Sequence, residues 1–411
     1  MKTFASTILF MFLCQLAVVS GIAGQQTIPR KVPGFLGSYH PFKGTAYGGE
    51  GWSDGEPIQQ AFNFGQNAII SQASYSGYTF AENVRNNCRE WDVNKLYGIL
   101  RPPTEKGVVN QPKDTDPLKP FNIEPGMIQG AHRFSEVSKS CPQLTGVIVD
   151  DFFNDYPKLL TAEDVLDIKD ALIGKTVDAL GHVDHSSPAT TPDLKLYIVV
   201  YEHQLARPLE ETVLSAIDGV SFWTWKQNEN FTNFDTNIDA IKRRFPGREV
   251  IAGVYVYNGA ETPTPESVRH IIGQAVEMYG AGKIDGLLIF AAVWMSREKS
   301  SRERWDELGL PGYLGKVYYP FLGEGTGRVI DAKTKKPIAR ELVTVWRITG
   351  GARQLVARKF TDGKGEYRFG GWARGRAEYT IAIGRGRSAQ RVKVGLRSGK
   401  TVPLPEVRLG R

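Results

Sequence analysis

The chain has 411 residues, 41% of them hydrophobic, and a formal net charge of +7. That length buries one full-sized core plus a smaller one, which excludes a disordered or fibrous chain and predicts two domains. The charge is divided unevenly: residues 324 to 411 hold 21 Lys+Arg against 7 Asp+Glu, and the remainder holds 30 against 37. The division places a boundary near Gly323 and sets a basic module beside an acidic one, suited to contact with an acidic polymer or cell surface. A solvated basic face without a partner is the plainer alternative.

The amino terminus is a targeting segment. Lys2 precedes an apolar run from Ile8 to Val19, and Gly21, Ala23 and Gly24 follow before Gln25 and Gln26, the layout of a secretory signal over 1–24. Cys14 sits behind Leu13 within that run, which disfavours a lipoprotein cysteine. No other stretch is apolar enough to span a bilayer. A secreted, periplasmic or cell-surface location is expected, and nucleic acid is disfavoured as a partner. Cys88 and Cys141 remain after removal of the signal. An exported chain permits one disulfide between them, with two buried free thiols as the other reading.

Beyond the signal, short apolar runs alternate with helical stretches. The runs are Gly34 to Tyr39, Ala68 to Ala73, Lys95 to Leu100, Gly146 to Val149, Leu196 to Tyr201, Gly219 to Trp223, Val250 to Tyr257 and Ile284 to Ala292. Helical patterns such as Ala162 to Lys169 lie between them. Eight such units predict an α/β fold, a (β/α)8 TIM-type barrel over 25–322, with a doubly wound open sheet giving similar counts.

In a barrel of this kind the chemistry gathers at the carboxyl ends of the strands. The residues there are Tyr39 and His40, Gln72 and Tyr75, Arg101, Asp150 and Asp151, Glu202 and His203, Trp223, Trp225 and Lys226, Tyr255, Tyr257 and Asn258, and Trp294. Carboxylates ringed by aromatic, amide and imidazole groups suit a sugar: flat rings stack on pyranose faces, while polar groups bond hydroxyls or move protons. For each aromatic, sealing the top of the core is an equally good reading. Val147-Ile148-Val149-Asp150-Asp151 is the most informative segment. Successive strand residues point to opposite faces, so one aspartate needs the following turn to redirect it, and capping of that turn is the structural alternative. Sequence neighbours are poorly placed to flank one glycosidic bond. Two arrangements follow: Asp151 as acid opposite Glu202, or both aspartates assisting a nucleophile carried by the substrate.

The strand end Val147 to Phe152 resembles the Asp-Asp signature of the barrel β-N-acetylglucosaminidases of the O-GlcNAcase and bacterial hyaluronidase type. The resemblance implies that Asp150 orients the substrate's acetamido group and that Asp151 is the general acid/base. Phe222-Trp223-Thr224-Trp225 and Tyr255-Val256-Tyr257-Asn258 are similar to segments of that family after its sixth and seventh strands. Phe35 to His40 departs from the family's acidic first-strand pattern, and Arg101 stands where a sugar-binding Lys is the rule.

The carboxy-terminal 324–411 carries Gly325-Thr326-Gly327-Arg328-Val329, Lys336-Pro337-Ile338, Val343-Thr344-Val345, Asp362-Gly363-Lys364-Gly365-Glu366-Tyr367 and Tyr379-Thr380-Ile381 in order. These resemble the carboxypeptidase-regulatory-like, transthyretin-like β-sandwich, a module that implies stabilisation or attachment and no active site. Alternating strands and the Asp362-Gly363 turn independently predict a small antiparallel sandwich.

Weaker signals complete the reading. His182-Val183-Asp184-His185 has metal-like spacing but falls in the loop entering the fifth strand, away from the site. Asn230-Phe231-Thr232 is a glycosylation sequon. Walker, dinucleotide and Gly-x-Ser-x-Gly signatures are absent, so neither cofactor nor metal is expected. The leading expectation is an exported glycoside hydrolase-like enzyme acting on an oligo- or polysaccharide, with Asp150, Asp151 and Glu202 as its carboxylates. A non-catalytic surface carbohydrate-binding or scaffold protein on a degenerate barrel is the second. A hard-cation site at Asp150, Asp151 and Asp155 is the third.

Overall fold

The computed structural model describes residues 36–39, 68–71, 88, 94–100, 126–255, 261–290, 307–374 and 377–410. Two short strands, β1 (Leu36–Tyr39) and β2 (Ala68–Ser71), precede β3 (Lys95–Leu100), α1 (Met127–Ser138) and β4 (Leu144–Val149). Next come α2 (Phe152–Asp155), α3 (Ala162–Leu172), the small hairpin β5 (Thr176–Val177) and β6 (Val183–Asp184), and β7 (Lys195–Tyr201). The series continues with α4 (Glu211–Ala216), β8 (Gly219–Trp223), α5 (Gln227–Asn230), α6 (Phe234–Arg244), β9 (Glu249–Tyr255), α7 (Pro265–Gly280) and β10 (Gly286–Phe290). After α8 (Leu310–Val317) the regular structure is mostly strands, β11 (Leu322–Asp331), β12 (Leu342–Thr349), β13 (Ala352–Phe360), β14 (Glu366–Trp372), β15 (Glu378–Ile383), β16 (Gln390–Gly395), β17 (Thr401–Pro403) and β18 (Val407–Leu409), with single 3-10 turns at Tyr319–Phe321 and Gly386–Ser388.

The first part is a mixed α/β structure around a curled parallel sheet of six strands, ordered β3, β4, β7, β8, β9, β10. β2 pairs in parallel with β3 through Ala68 and Lys95, β1 pairs with β10 through Leu36 and Leu287, and β1 and β2 pair through Gly37 and Ala68. Alternation along each strand divides the side chains into two layers. Val147, Val149, Ile198, Val200, Phe222, Ala252 and Val254 pack outward under the helices. Tyr97, Ile99, Ile148, Tyr197, Val199, Tyr201, Trp223, Ile251, Tyr255 and Leu288 fill the concave side. Glycine makes room for the largest of these: a Cβ on Gly253 would lie 2.0 Å from the Trp223 ring. The helices start on local signals, a Thr161/Asp164 capping box for α3 and a Thr264 cap followed by Pro265 for α7. Cys88 and Cys141 are joined by a disulfide with their Cα atoms 5.7 Å apart.

The second part consists of two facing layers, the antiparallel sheet β13-β12-β15-β16 and a mixed sheet β14-β11-β17 with β18 beside β11, in which β14 runs antiparallel to β11 while β17 and β18 run parallel to it. Val343, Val345, Phe369, Tyr379, Ile381 and Ile383 form the core between them. This unit docks at the amino ends of the parallel strands. Gln354 donates to the Ile284 carbonyl (2.8 Å) and to Asp285 Oδ1 (3.1 Å), and Asn94 donates to the Gly370 carbonyl (3.1 Å). Arg347 lies over the Tyr279 ring at 4.8 Å and donates to the Tyr279 and Gly280 carbonyls, while Trp372 is buried in the first core.

Candidate functional site

The opposite, carboxyl ends of β4, β7, β8 and β9 converge on one polar and aromatic cluster. β4 is buried along its length and stops at Asp150, where the backbone turns. Asp151 adopts the left-handed conformation (φ 43°, ψ 31°), uncommon for a residue with a side chain though tolerated by aspartate. The turn is closed by Asn154 N–H donating to the Asp151 carbonyl (2.7 Å), and Asp150 Oδ1 accepts from Asp151 N–H (3.0 Å). This turn supplies the redirection that two consecutive strand-end carboxylates require. Asp151 is carried across to β7, where its Oδ1 accepts a 2.7 Å hydrogen bond from the Tyr201 hydroxyl.

Tyr201 is bonded in turn to Tyr255 at the end of β9. Burial pushes the Tyr201 phenol well up, and Tyr255, Asp150 and Asp151 push it further. Burial does the same to Tyr255, its bond to Tyr201 opposes the shift, and Asp150, Asp151 and Glu202 add to it. Both phenols are therefore held in the neutral form. Trp225 sets its edge against both rings, with centroids 5.5 Å from Tyr201 and 5.6 Å from Tyr255, and Trp223 lies 4.9 Å from Tyr255. His203 stacks on the outer side of Tyr201 at 5.6 Å and is exposed.

Glu202 belongs to the cluster but is committed to the backbone. Its Oε2 accepts from Trp225 N–H (2.7 Å), and its Oε1 accepts from Lys226 N–H (3.1 Å) and the Asn230 amide (3.5 Å). A carboxylate holding two main-chain donors shapes the β8 turn and adds negative charge; it is poorly disposed to attack an anomeric carbon. The Asn230 amide of the sequon is thus half-buried against Glu202.

Tyr201, Gln204 and Gln227 escaped the sequence reading. The Gln204 amide oxygen accepts from Tyr201 N–H (3.1 Å), and that of Gln227 accepts from Tyr255 N–H (3.0 Å), so both glutamines tether the strand ends that bear the tyrosines. Inward parity at the final position of the fifth run was the signal available for Tyr201. Nothing local marked the glutamines, because their partners come from backbone geometry.

His40, Gln72, Tyr75, Arg101, Tyr257, Asn258 and Trp294 lie outside the described residues, and of Tyr39 only the backbone is described. The cation reading finds no ligand set: among the described residues no three His, Cys, Asp or Glu side chains are grouped to hold a metal. Asp155, the last residue of α2, is wholly buried, whereas Asp150 and Asp151 are half-buried. His182 and His185 flank β6 of the β5–β6 hairpin and pair with Asp178 (3.0 Å) and with Asp170 (2.8 Å) and Asp167 (3.2 Å) respectively.

No family model matches the chain, and no curated protein is found similar to it. Among solved structures, a Bacteroides uniformis beta-glucuronidase is similar over 83% of this chain and 42% of its own, at 13% identity and a TM-score of 0.38. A calcium-binding mutant of Bacteroides uniformis beta-glucuronidase 2 is similar over 91% of this chain and 46% of its own, at 10% identity and a TM-score of 0.37. The chain thus spans less than half the length of either. The C-terminal domain of the shaft pilin SpaA of Lactobacillus rhamnosus GG is similar over 21% of this chain and 95% of its own, at 13% identity and a TM-score of 0.16. The chemistry of the site therefore rests on its own geometry.

Proposed function

We propose that the chain is an exported glycoside hydrolase-like enzyme, with a (β/α)8 barrel over 25–322 behind a signal at 1–24 and a β-sandwich over 324–411. The observation that carries this reading is the Asp151–Tyr201–Tyr255 hydrogen-bonded set, walled by Trp225, at the carboxyl ends of parallel strands. The Cys88–Cys141 bridge supports an oxidising destination. Engagement of Glu202 by two backbone N–H groups favours the arrangement in which the substrate carries its own nucleophile. Asp150 orients an acetamido group whose oxygen attacks the anomeric carbon, while Asp151 protonates the departing glycosidic oxygen. Asp151 then takes a proton from the water that opens the cyclic intermediate. Tyr201 positions Asp151, and Trp225 and Tyr255 offer the apolar wall for a pyranose face.

The test is Asp151→Asn assayed on aryl N-acetylhexosaminides of graded leaving-group ability. The expected outcome is a fall in kcat/KM of about 10²–10⁴-fold with poor leaving groups, and much less with activated ones. Parental rates on poor leaving groups sink the assignment. A second reading, a sugar-binding scaffold without catalysis, is favoured by the bond from Asp151 N–H to the Asp150 carboxylate, which spends one acid oxygen on the turn. Binding of oligosaccharides by the mature chain without any cleavage distinguishes it.

A further inference from the structure

The carboxy-terminal unit presents a face that its own packing leaves unused. In the sheet β13-β12-β15-β16 one parity of side chains, including Val343, Val345, Tyr379 and Ile381, is buried in the core. Arg347 and Gln354, of that same parity, dock on the parallel-strand domain. The other parity points away from the sandwich core, and Arg358 at its edge reaches the parallel-strand domain. There Leu355 is paired with Trp346, Trp346 with Thr380, and Thr380 with Lys393, giving one row across four strands. Trp346, Ile348 and Leu355 are half-buried and belong to neither hydrophobic core.

This strip is bordered by cations. Arg391 and Lys393 on β16 and Arg353 on β13 are exposed. Adjacent strands lie about 4.8 Å apart, so the Lys393 backbone is about 10 Å from that of Trp346, within reach of a long side chain laid along the sheet. Arg358, on the same face, is tied to Asp193 at 2.8 Å, and Glu378 is the face's one acid on β15. The unit as a whole carries 21 Lys+Arg against 7 Asp+Glu.

We propose that this face binds an acidic polysaccharide, with a uronate ring stacked on Trp346 and carboxylates of the polymer met by Arg391, Lys393 and Arg353. An open sheet face suits a polymer laid side-on better than a small molecule, which needs a concave pocket. One indole flanked by the Thr380 hydroxyl matches a pyranose, whose apolar face and hydroxyl rim need both kinds of contact. Regularly repeated carboxylates complement the cations. The inference goes beyond the barrel chemistry and stands without it.

The experiment measures binding of the full mature chain to polygalacturonate by affinity electrophoresis and titration calorimetry at low and raised ionic strength. Neutral dextran and single-stranded DNA serve as comparison polymers. Polygalacturonate is expected to bind and dextran not. Trp346→Ala is expected to weaken binding at least 10-fold, the double variant Arg391→Gln/Lys393→Gln at least 10-fold at low salt, and Trp346→Phe by less. Thermal melts establish that each variant is folded, and the exposed β16 pair keeps the test open should Trp346→Ala unfold. Asp151→Asn is expected to bind polygalacturonate as the parent does, which separates failure here from failure of the hydrolase reading. Absence of binding overturns the proposal. So does binding that both variants leave unchanged, binding lost with the charges but indifferent to Trp346, or DNA bound as tightly with the same dependence on Trp346.

Discussion

The two ends of the parallel strands set the same parts in different surroundings. At the carboxyl end Tyr255 and Tyr201 lead to Asp151; at the amino end Tyr97 and Tyr197 lead to Glu249, whose Oε2 accepts from the Tyr197 hydroxyl at 2.6 Å. The difference lies in what surrounds the carboxylate. Lys195 bonds Glu249 directly and Lys95 is buried nearby. Burial opposes ionisation of Glu249, but the two lysines overcome it and hold its pKa below the usual carboxylate range. Burial, reinforced by Glu249, pushes Asp285 up, against the hydrogen bonds of Val250 N–H and Gln354. Gln354 comes from β13, so the docked sheet completes and covers this network. At the carboxyl end, by contrast, Asp150, Asp151 and Glu202 all act on Tyr255, and Asp151 is half-buried. A charge matched and covered is a structural element, whereas a cluster of acids beside neutral phenols is suited to handling protons.

Substitutions at the two ends should separate these roles. The largest effect is expected at Asp151, where Asn lowers the proposed hydrolysis of substrates with poor leaving groups by about 10²–10⁴-fold with little change in melting temperature. Glu249→Gln should do the reverse: unpairing Lys195 costs about 3 kcal/mol, the low end of the range for a buried pair because Glu249 keeps some exposure. Equilibrium denaturation measures this loss, and kcat of the folded fraction should be parental. Equal losses of activity for Glu249→Gln and Asp151→Asn would erase the distinction between the ends. Because Glu249 titrates lower when folded, its stabilisation is present above its unfolded pKa of about 4.5 and is lost as pH falls through the folded value. The parent should therefore lose stability in acid more steeply than Glu249→Gln.

Gln354→Ala should cost about 1–3 kcal/mol by leaving the Ile284 carbonyl and one Asp285 oxygen without their donor. Protection of the Asp285 region against hydrogen exchange should fall with it, while the Tyr201 region is unchanged. The smallest effect is expected at His185. Its hydrogen bond to Asp170 raises the imidazole pKa, so the contribution is fully present below the unfolded value of about 6.5 and fades as pH rises through the folded one. His185→Asn should remove a slight weakening of stability across neutral pH, read from melts at pH 5.5 and 8.

Much of the architecture was legible because it is periodic. Each of the eight apolar runs overlaps a strand of the parallel set, since short apolar runs set between helical stretches are recognisable without knowing their partners. From β11 at Leu322 onward the regular structure is mostly strands, in the part of the chain where the basic charge is concentrated. The sequence by itself therefore determined the order of elements, the paired acids at the end of β4 and the location of the aromatic residues. Tertiary structure decided which partners those residues meet. The left-handed turn at Asp151 aims one acid at Tyr201, a partner 50 positions away. Glu202 is spent on the backbone of residues more than 20 positions on, and Gln354 reaches Asp285 from the second domain. Local pattern encodes burial and period, but the partner of a polar group is set by chain segments that meet only when the sheet curls.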